Sequence, residues 1–270
     1  MTDTIRVDLH CHSSASDGDH SPAYVAHSVA AVGVVWAALT DHNTIDGQEA
    51  FRAALERRGV NSILGLEIAT RSQAVPVHLL AYSFHPDNEP LLQSLRTIRE
   101  PWRSSARHWM YRARSLTGRP PGTERPCSPP GEDPSPHRPP GSAEVICLVH
   151  SAGGRVFLAH PLAGVRTIER LEKVLDLLQS EGLDGIEAFH SQYPETVRRR
   201  LLEIAERRDL LTVGGSDFHG LHHSDGASPG VDMPLVHWNR FVAALGLGSG
   251  QGPASDYSDR PTMPRGRVGY

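Results

Sequence analysis

Seven short apolar runs, each with a histidine, aspartate or glutamate at one end, constrain this chain more than any other feature. The run Ile5–Leu9 leads into His10 and His12, and Val34–Leu39 leads into Asp41 and His42. Glu67 lies at the end of the ILGLEI segment, His78 opens the VHLLAY run, and His160 follows Val156–Ala159. Ile186 precedes Glu187 and His190, while LLTVGG leads into Asp217 and His219. Random placement would scatter such side chains over helices and loops as well. Their concentration at run ends calls for a fold that gathers strand ends in one place.

Helical patterns separate the runs. Ser21–Ala31 reads as a helix with Ser21 at the N-cap and Pro22 at the first position. Asp46–Arg58 and Thr167–Ser180 are amphipathic, the second through Leu171, Val174, Leu175 and Leu178. Pro194–Arg208 repeats the design through Val197, Leu201 and Ile204. Strand alternating with helix predicts an α/β fold with a largely parallel sheet or barrel. One link departs from the rule. Ile68–Pro76 is too short for a helical crossover, so a hairpin is expected that sets Glu67 beside His78.

His10 and His12 are two apart, so an extended strand projects both imidazoles from one face, with Asp17 following after a short loop. Two imidazoles and a carboxylate converging on a strand end suit a divalent metal. Mixed nitrogen and oxygen ligation suits Mn, Fe or Zn better than Mg and does not choose among the three, of which Mn is taken first. A carboxylate such as Glu67 can hold two cations close together.

The 270 residues, 39% of them hydrophobic, suffice for one sizeable buried core. A formal net charge of −4 leaves no strong nucleic-acid footprint beyond a short oligonucleotide. Basic residues are almost all arginine, and Lys173 is the sole lysine. Cys11, Cys127 and Cys147 form no disulfide pattern, and strand alternation turns Cys11 away from its flanking histidines. The opening residues lack a charged stretch followed by an apolar one, and no run nears the ~18 residues of a membrane span; a cytoplasmic protein is expected. Leu91–Leu116 is helix-compatible and Arg-rich, either a solvated face or a phosphate-facing lid. Thr117–Ser142 holds 9 of the 21 prolines and reads as a disordered or polyproline-II linker. The expected organisation is a folded unit split into residues 1–100 and 142–247, an insertion at 101–141, and a disordered tail at 248–270.

In their order, DLHCHSSASDG, LTDHNT, GLEI, HLLAY, LAHP and GGSDFHG resemble the PHP (polymerase and histidinol phosphatase) superfamily. The chain is most similar there to small phosphoesterases acting on nucleoside bisphosphates or short oligoribonucleotides. The resemblance implies a distorted (β/α)7 TIM-like barrel with a truncated, disordered insertion. It implies two to three divalent ions at the C-terminal mouth of the strands and hydrolysis of a small phosphorylated substrate. It assigns one metal to His10, His12, Glu67 and Asp217, a second to Glu67, His78 and His160, and a third to Asp17, His42 and His219. Asp41 would orient its neighbour. His190 falls where relatives keep a histidine near the phosphate, though they often place it three residues later, where this chain has Tyr193. Arg119 stands in Gly118-Arg119-Pro120, in place of a Gly-Arg-Pro-His motif that helps hold phosphate in relatives. The reaction is expected to rest on Glu67, Asp217 and His190. Two alternatives stand beside it: an amidohydrolase-like C–N hydrolase, which typically uses a bridging lysine or a lone catalytic aspartate, and a non-catalytic metal-binding module that has lost its lid.

Overall fold

The computed structural model describes residues 3–73, 75–104, 139–163, 165, 167–220 and 228–247. Its elements run β1 (Thr4–Cys11), α1 (Pro22–Ala31), β2 (Trp36–Leu39), α2 (Gln48–Glu56), β3 (Asn61–Ser62), β4 (Gly65–Ser72), β5 (Val75–Tyr82) and α3 (Glu89–Ser104). They continue with α4 (Ser142–Ser151), β6 (Arg155–Leu158), α5 (Ile168–Ser180), β7 (Gly185–His190), α6 (Glu195–Arg207), β8 (Leu211–Gly215), β9 (Val231–Pro234) and α7 (Leu235–Ala244).

Local chemistry sets the helices where the sequence puts them. The Ser21 side chain accepts from the Tyr24 N–H, and Pro22 fixes the first turn of α1. Thr167 caps α5 through the Arg170 N–H, and Leu171, Val174, Leu175 and Leu178 are its buried stripe. α6 buries Leu201, Ile204 and Ala205. Truncating one such residue, Leu171→Ala for instance, removes about 2–5 kcal/mol of stability.

The strands form two sheets, ordered β3-β2-β1-β9 and β4-β5-β6-β7-β8. The pairs β1–β2, β6–β7 and β7–β8 are parallel. β5 runs against both of its neighbours, so the short link between β4 and β5 is the expected hairpin. Both strands are longer than their apolar runs. Glu67 therefore lies near the start of β4 rather than at its end, and His78 pairs with Ala69. The two side chains meet diagonally across the ladder, on one face.

The sheets abut at two seams. Cys11 bridges Phe218 in parallel, with the His12 N–H on the Phe218 carbonyl at 2.8 Å. His42 bridges Glu67, with the Asn43 N–H on the Glu67 carbonyl at 2.8 Å. β8 reaches β1 closely because it ends in glycine: a Cβ on Gly215 would run into the Cβ of His10 and lie 2.5 Å from its backbone nitrogen. Gly215→Ala should therefore cost about 1–3 kcal/mol, the usual range for overpacking, and displace His10. Urea unfolding checks the first effect and metal uptake the second.

A large core under β4–β9 holds Tyr82, Phe157 and Phe241, and a smaller one joins Cys11, Val25, Leu39 and Phe51 beneath α1 and α2. Residues 140–142 belong to the folded part, not to a linker. The Pro140 carbonyl accepts from Thr70 Oγ1 at 2.7 Å, and Ser142 Oγ donates to Glu181 Oε2 at 2.6 Å. The proline-rich residues 117–138, Arg119 among them, and the tail at 248–270 lie outside the described residues. No helix among the described residues is long and apolar enough to cross a membrane.

Candidate metal centre

Alternation along β1 puts Asp8, His10 and His12 on one face, all fully buried. Cys11 points the other way and donates its thiol to the Ala38 carbonyl. His10 Nε2 lies 3.3 Å from Glu67 Oε2 and 3.2 Å from Asp217 Oδ1. His12 Nε2 lies 3.1 Å and 3.2 Å from the same two atoms. The parallel seam delivers Asp217: its N–H bonds the His10 carbonyl at 2.8 Å, and its backbone is held at φ 55.

The other oxygen of Glu67 serves a second set. Oε1 lies 3.0 Å from His78 Nδ1 and 3.1 Å from His160 Nε2. His42 Nδ1 approaches Oε2 at 3.2 Å, so His42 stands near Glu67 as well as in the third set. Asp17 gathers that third set, with His219 Nε2 at 3.5 Å and His42 Nε2 and His12 Nδ1 at 3.7 Å. The ligand atoms of His12, Asp17, His42 and His219 all lie within 4.8 Å of one another, as do those of His10, His12, Glu67 and Asp217, and those of His42, Glu67 and His78. Thus nine residues distant in sequence meet where β1, β2, β6 and β8 end, beside Glu67 and His78 of the β4–β5 hairpin.

The chemistry of this cluster fits divalent cations. His10 Nε2, both nitrogens of His12 and Glu67 Oε2 are buried without a hydrogen-bond partner, although carboxylates and imidazoles stand 3.1–3.7 Å apart. Lone pairs aimed at a shared cation have this geometry, and buried polar atoms otherwise find partners. Burial would raise the Glu67 carboxyl, but the His42, His10 and His78 rings outweigh it and hold it well below the usual range. Asp217 is depressed likewise, against burial, by His10 and His12. Burial opposes charge on His12, yet Asp217 and Glu67 raise its pKa to about 10. His42 goes the other way: burial lowers it to about 4, only partly offset by Glu67 and Asp17. Without metal, the carboxylates therefore favour a proton on the His12 ring rather than on themselves.

Buried carboxylates brace the loops that carry these side chains. Asp8 accepts from the N–H and hydroxyl of Ser216 at 3.0 and 2.7 Å and from Gly230 N–H at 2.8 Å, fixing the residue before Asp217. Asp41 accepts from the Ser13 N–H and hydroxyl, both at 2.7 Å, and from Ser16 Oγ at 2.6 Å; it holds the turn that leads to Asp17. Glu187 accepts from His10 Nδ1 at 2.9 Å and from the His160 N–H at 2.6 Å. Asp8 carried a readable signal, since it shares the period-two face of His10 and His12.

His190 is buried, with Nε2 4.0 Å from Asp217 Oδ2 and Nδ1 accepting from the Gln192 N–H at 3.2 Å. Tyr193 packs against that ring at 4.9 Å and accepts from the Leu162 N–H at 3.2 Å. Arg99 of α3 crosses to the Ala15 carbonyl at 3.3 Å and to Asp46 at 2.5 Å, tying the helix to the loop before Asp17. A cavity of about 190 Å³ borders His78 and His160, walled by Val77, Leu158, Pro161 and Val165.

Residues 8–114 match the PHP domain family model. A 5'-3' exoribonuclease of Haemophilus influenzae is 28% identical over 251 residues, covering 80% of this chain and 90% of the relative. A 3',5'-nucleoside bisphosphate phosphatase of Chromobacterium violaceum is 28% identical over 250 residues, covering 79% and 87%. Among solved structures, a protein of Bifidobacterium adolescentis, provisionally described as a metal-dependent phosphoesterase, superposes with a TM-score of 0.67 at 26% identity, covering 88% of this chain and 95% of that one.

Proposed function

We propose that this chain, a PHP-domain protein over residues 8–114, is a metal-dependent phosphoesterase that cleaves a small phosphate ester at a centre of two to three divalent ions. The observation that carries the reading is the Glu67 carboxylate. Each of its oxygens faces a different set of imidazoles, as a ligand bridging two neighbouring cations does. His10, His12, Glu67 and Asp217 form one site; Glu67, His78 and His160 form the next; Asp17, His42 and His219 form the third. Nitrogen and oxygen donors together suit Mn, Fe or Zn, with Mn first. The two sheets are read as a distorted barrel of seven strands, β1, β2 and β4–β8, with β3 and β9 outside the ring. The seam bridges Cys11–Phe218 and His42–Glu67 support that closure.

Ions held here would neutralise phosphoryl oxygens and lower the pKa of a bound water. The chain itself supplies the rest. His190, whose Nδ1 accepts from Gln192, keeps its proton on Nε2 and offers it to a phosphoryl oxygen beside Asp217. The apolar recess next to His78 and His160 suits the organic part of the ester. With a net charge of −4, a nucleotide, nucleoside bisphosphate or oligoribonucleotide end fits better than a long nucleic acid.

A panel of p-nitrophenyl phosphate, nucleoside monophosphates and 3',5'-bisphosphates, run with added Mn, tests this. Phosphate release that chelator abolishes and Mn restores is expected. Protein loaded with Mn, Fe or Zn that turns over none of them contradicts the reading; C–N hydrolysis in its place would favour the amidohydrolase alternative.

A further inference from the structure

Glu187 stands on β7 between two of these ligand sets and belongs to neither. Its side chain is fully buried. Oε1 meets His10 Nδ1 at 2.9 Å, and Oε2 accepts the backbone N–H of His160 at 2.6 Å. A carboxylate only accepts, so Nδ1 donates to Glu187 and Nε2 is the nitrogen left to face a metal. That Nε2 is the atom 3.2–3.3 Å from Asp217 and Glu67. His160, at the other oxygen, has φ 27, a backbone conformation uncommon for a residue with a side chain.

We propose that Glu187 is a positioning residue that sets two metal sites at once. Through the His10 ring it aims a donor at the site shared with His12, Glu67 and Asp217. Through the His160 peptide it holds the imidazole that joins His78 at the other oxygen of Glu67. The inference rests on the metal-centre reading given above. Both contacts need an acceptor, and only a carboxylate has one on each arm. Gln has the same shape but a single acceptor, so Glu187→Gln sets N–H against N–H on one side without changing the volume.

The test is metal binding by the full chain, read without reference to catalysis. Chelator-stripped wild type and Glu187→Gln are titrated with Mn, and separately with Co(II), against a chromophoric competitor, with circular dichroism of the metal-free forms as the fold control. Two equivalents should bind about 10–100-fold more weakly in the variant, the range for partners that orient ligands, while one equivalent stays at wild-type affinity. The visible bands of the bound cobalt should shift with them. A packing role leaves isosteric Gln with wild-type affinities and bands, and that result overturns the proposal; so does an equal loss at all sites. Should the Gln variant fail the fold control, Glu187→Asp, which keeps both acceptors on a shorter stem, is titrated in its place and judged by the same two patterns. A wild type that takes up less than two equivalents overturns the metal-centre reading itself and this proposal with it. Normal wild-type loading beside an unaffected variant overturns this proposal alone.

Discussion

Glu67→Gln should strip the protein of most of its bound metal and lower phosphate release by about 100-fold or more, at or beyond the upper end of what residues around a metal contribute. Asp17→Asn should do markedly less on both counts. Glu67 stands within 3.3 Å of five imidazoles, those of His10, His12, His42, His78 and His160. Asp17 approaches three, none closer than 3.5 Å. The Gln amide keeps one acceptor and turns a donor toward the other set, so two proposed sites lose a shared anion together. Elemental analysis and initial rates on the two variants settle the order. If Asp17→Asn proves the more damaging in both assays, the division of ligands is wrong.

The metal-free protein should be most stable near pH 6.5 and lose stability on both sides, whereas the loaded protein should not decline on the alkaline side. His12 has its pKa raised from 6.5 to about 10 on folding. Its contribution is full below pH 6.5 and disappears as the pH climbs through about 10; it is on the order of 5 kcal/mol at most. His160 and His219, also raised against the burial that opposes their charge, add to that decline. His42, lowered by burial to about 4, acts in the opposite direction. Between pH 6.5 and 4 it binds a proton more readily when unfolded, so stability falls as the pH drops. Bound metal replaces those protons, and its affinity therefore rises with pH over the same alkaline window. Urea midpoints from pH 5 to 10, with chelator and with Mn, provide the comparison. Parallel curves for the two forms would show that metal and protons do not compete for these rings.

The convergence of nine side chains was legible because the fold puts strand ends together and the sequence puts histidines and carboxylates at run ends. The hairpin was legible from a link too short for a helix. Strand length was not: β4 continues through Thr70, Arg71 and Ser72, polar residues that an apolar run excludes but that pair with Val77, Pro76 and Val75 on β5. β9 and α7 escaped notice because Val231–Pro234 is only four residues long and runs straight into Leu235 with no loop between them. Local pattern also says nothing of what a buried carboxylate touches. Asp41 follows its strand as a ligand would, yet its oxygens hold Ser13 and Ser16. Glu187 reads like any other acid at a strand end, and only the contacts of its two oxygens with the His10 ring and the His160 peptide reveal its partners.

The central claim is a multinuclear centre joined by Glu67. Crystals of the full chain grown with Mn, with anomalous diffraction recorded to locate the ions, test it most directly. Two or three peaks within coordinating distance of these side chains, two of them sharing the Glu67 carboxylate, are predicted. A single ion, or ions that leave Glu67 uncoordinated, would contradict the account.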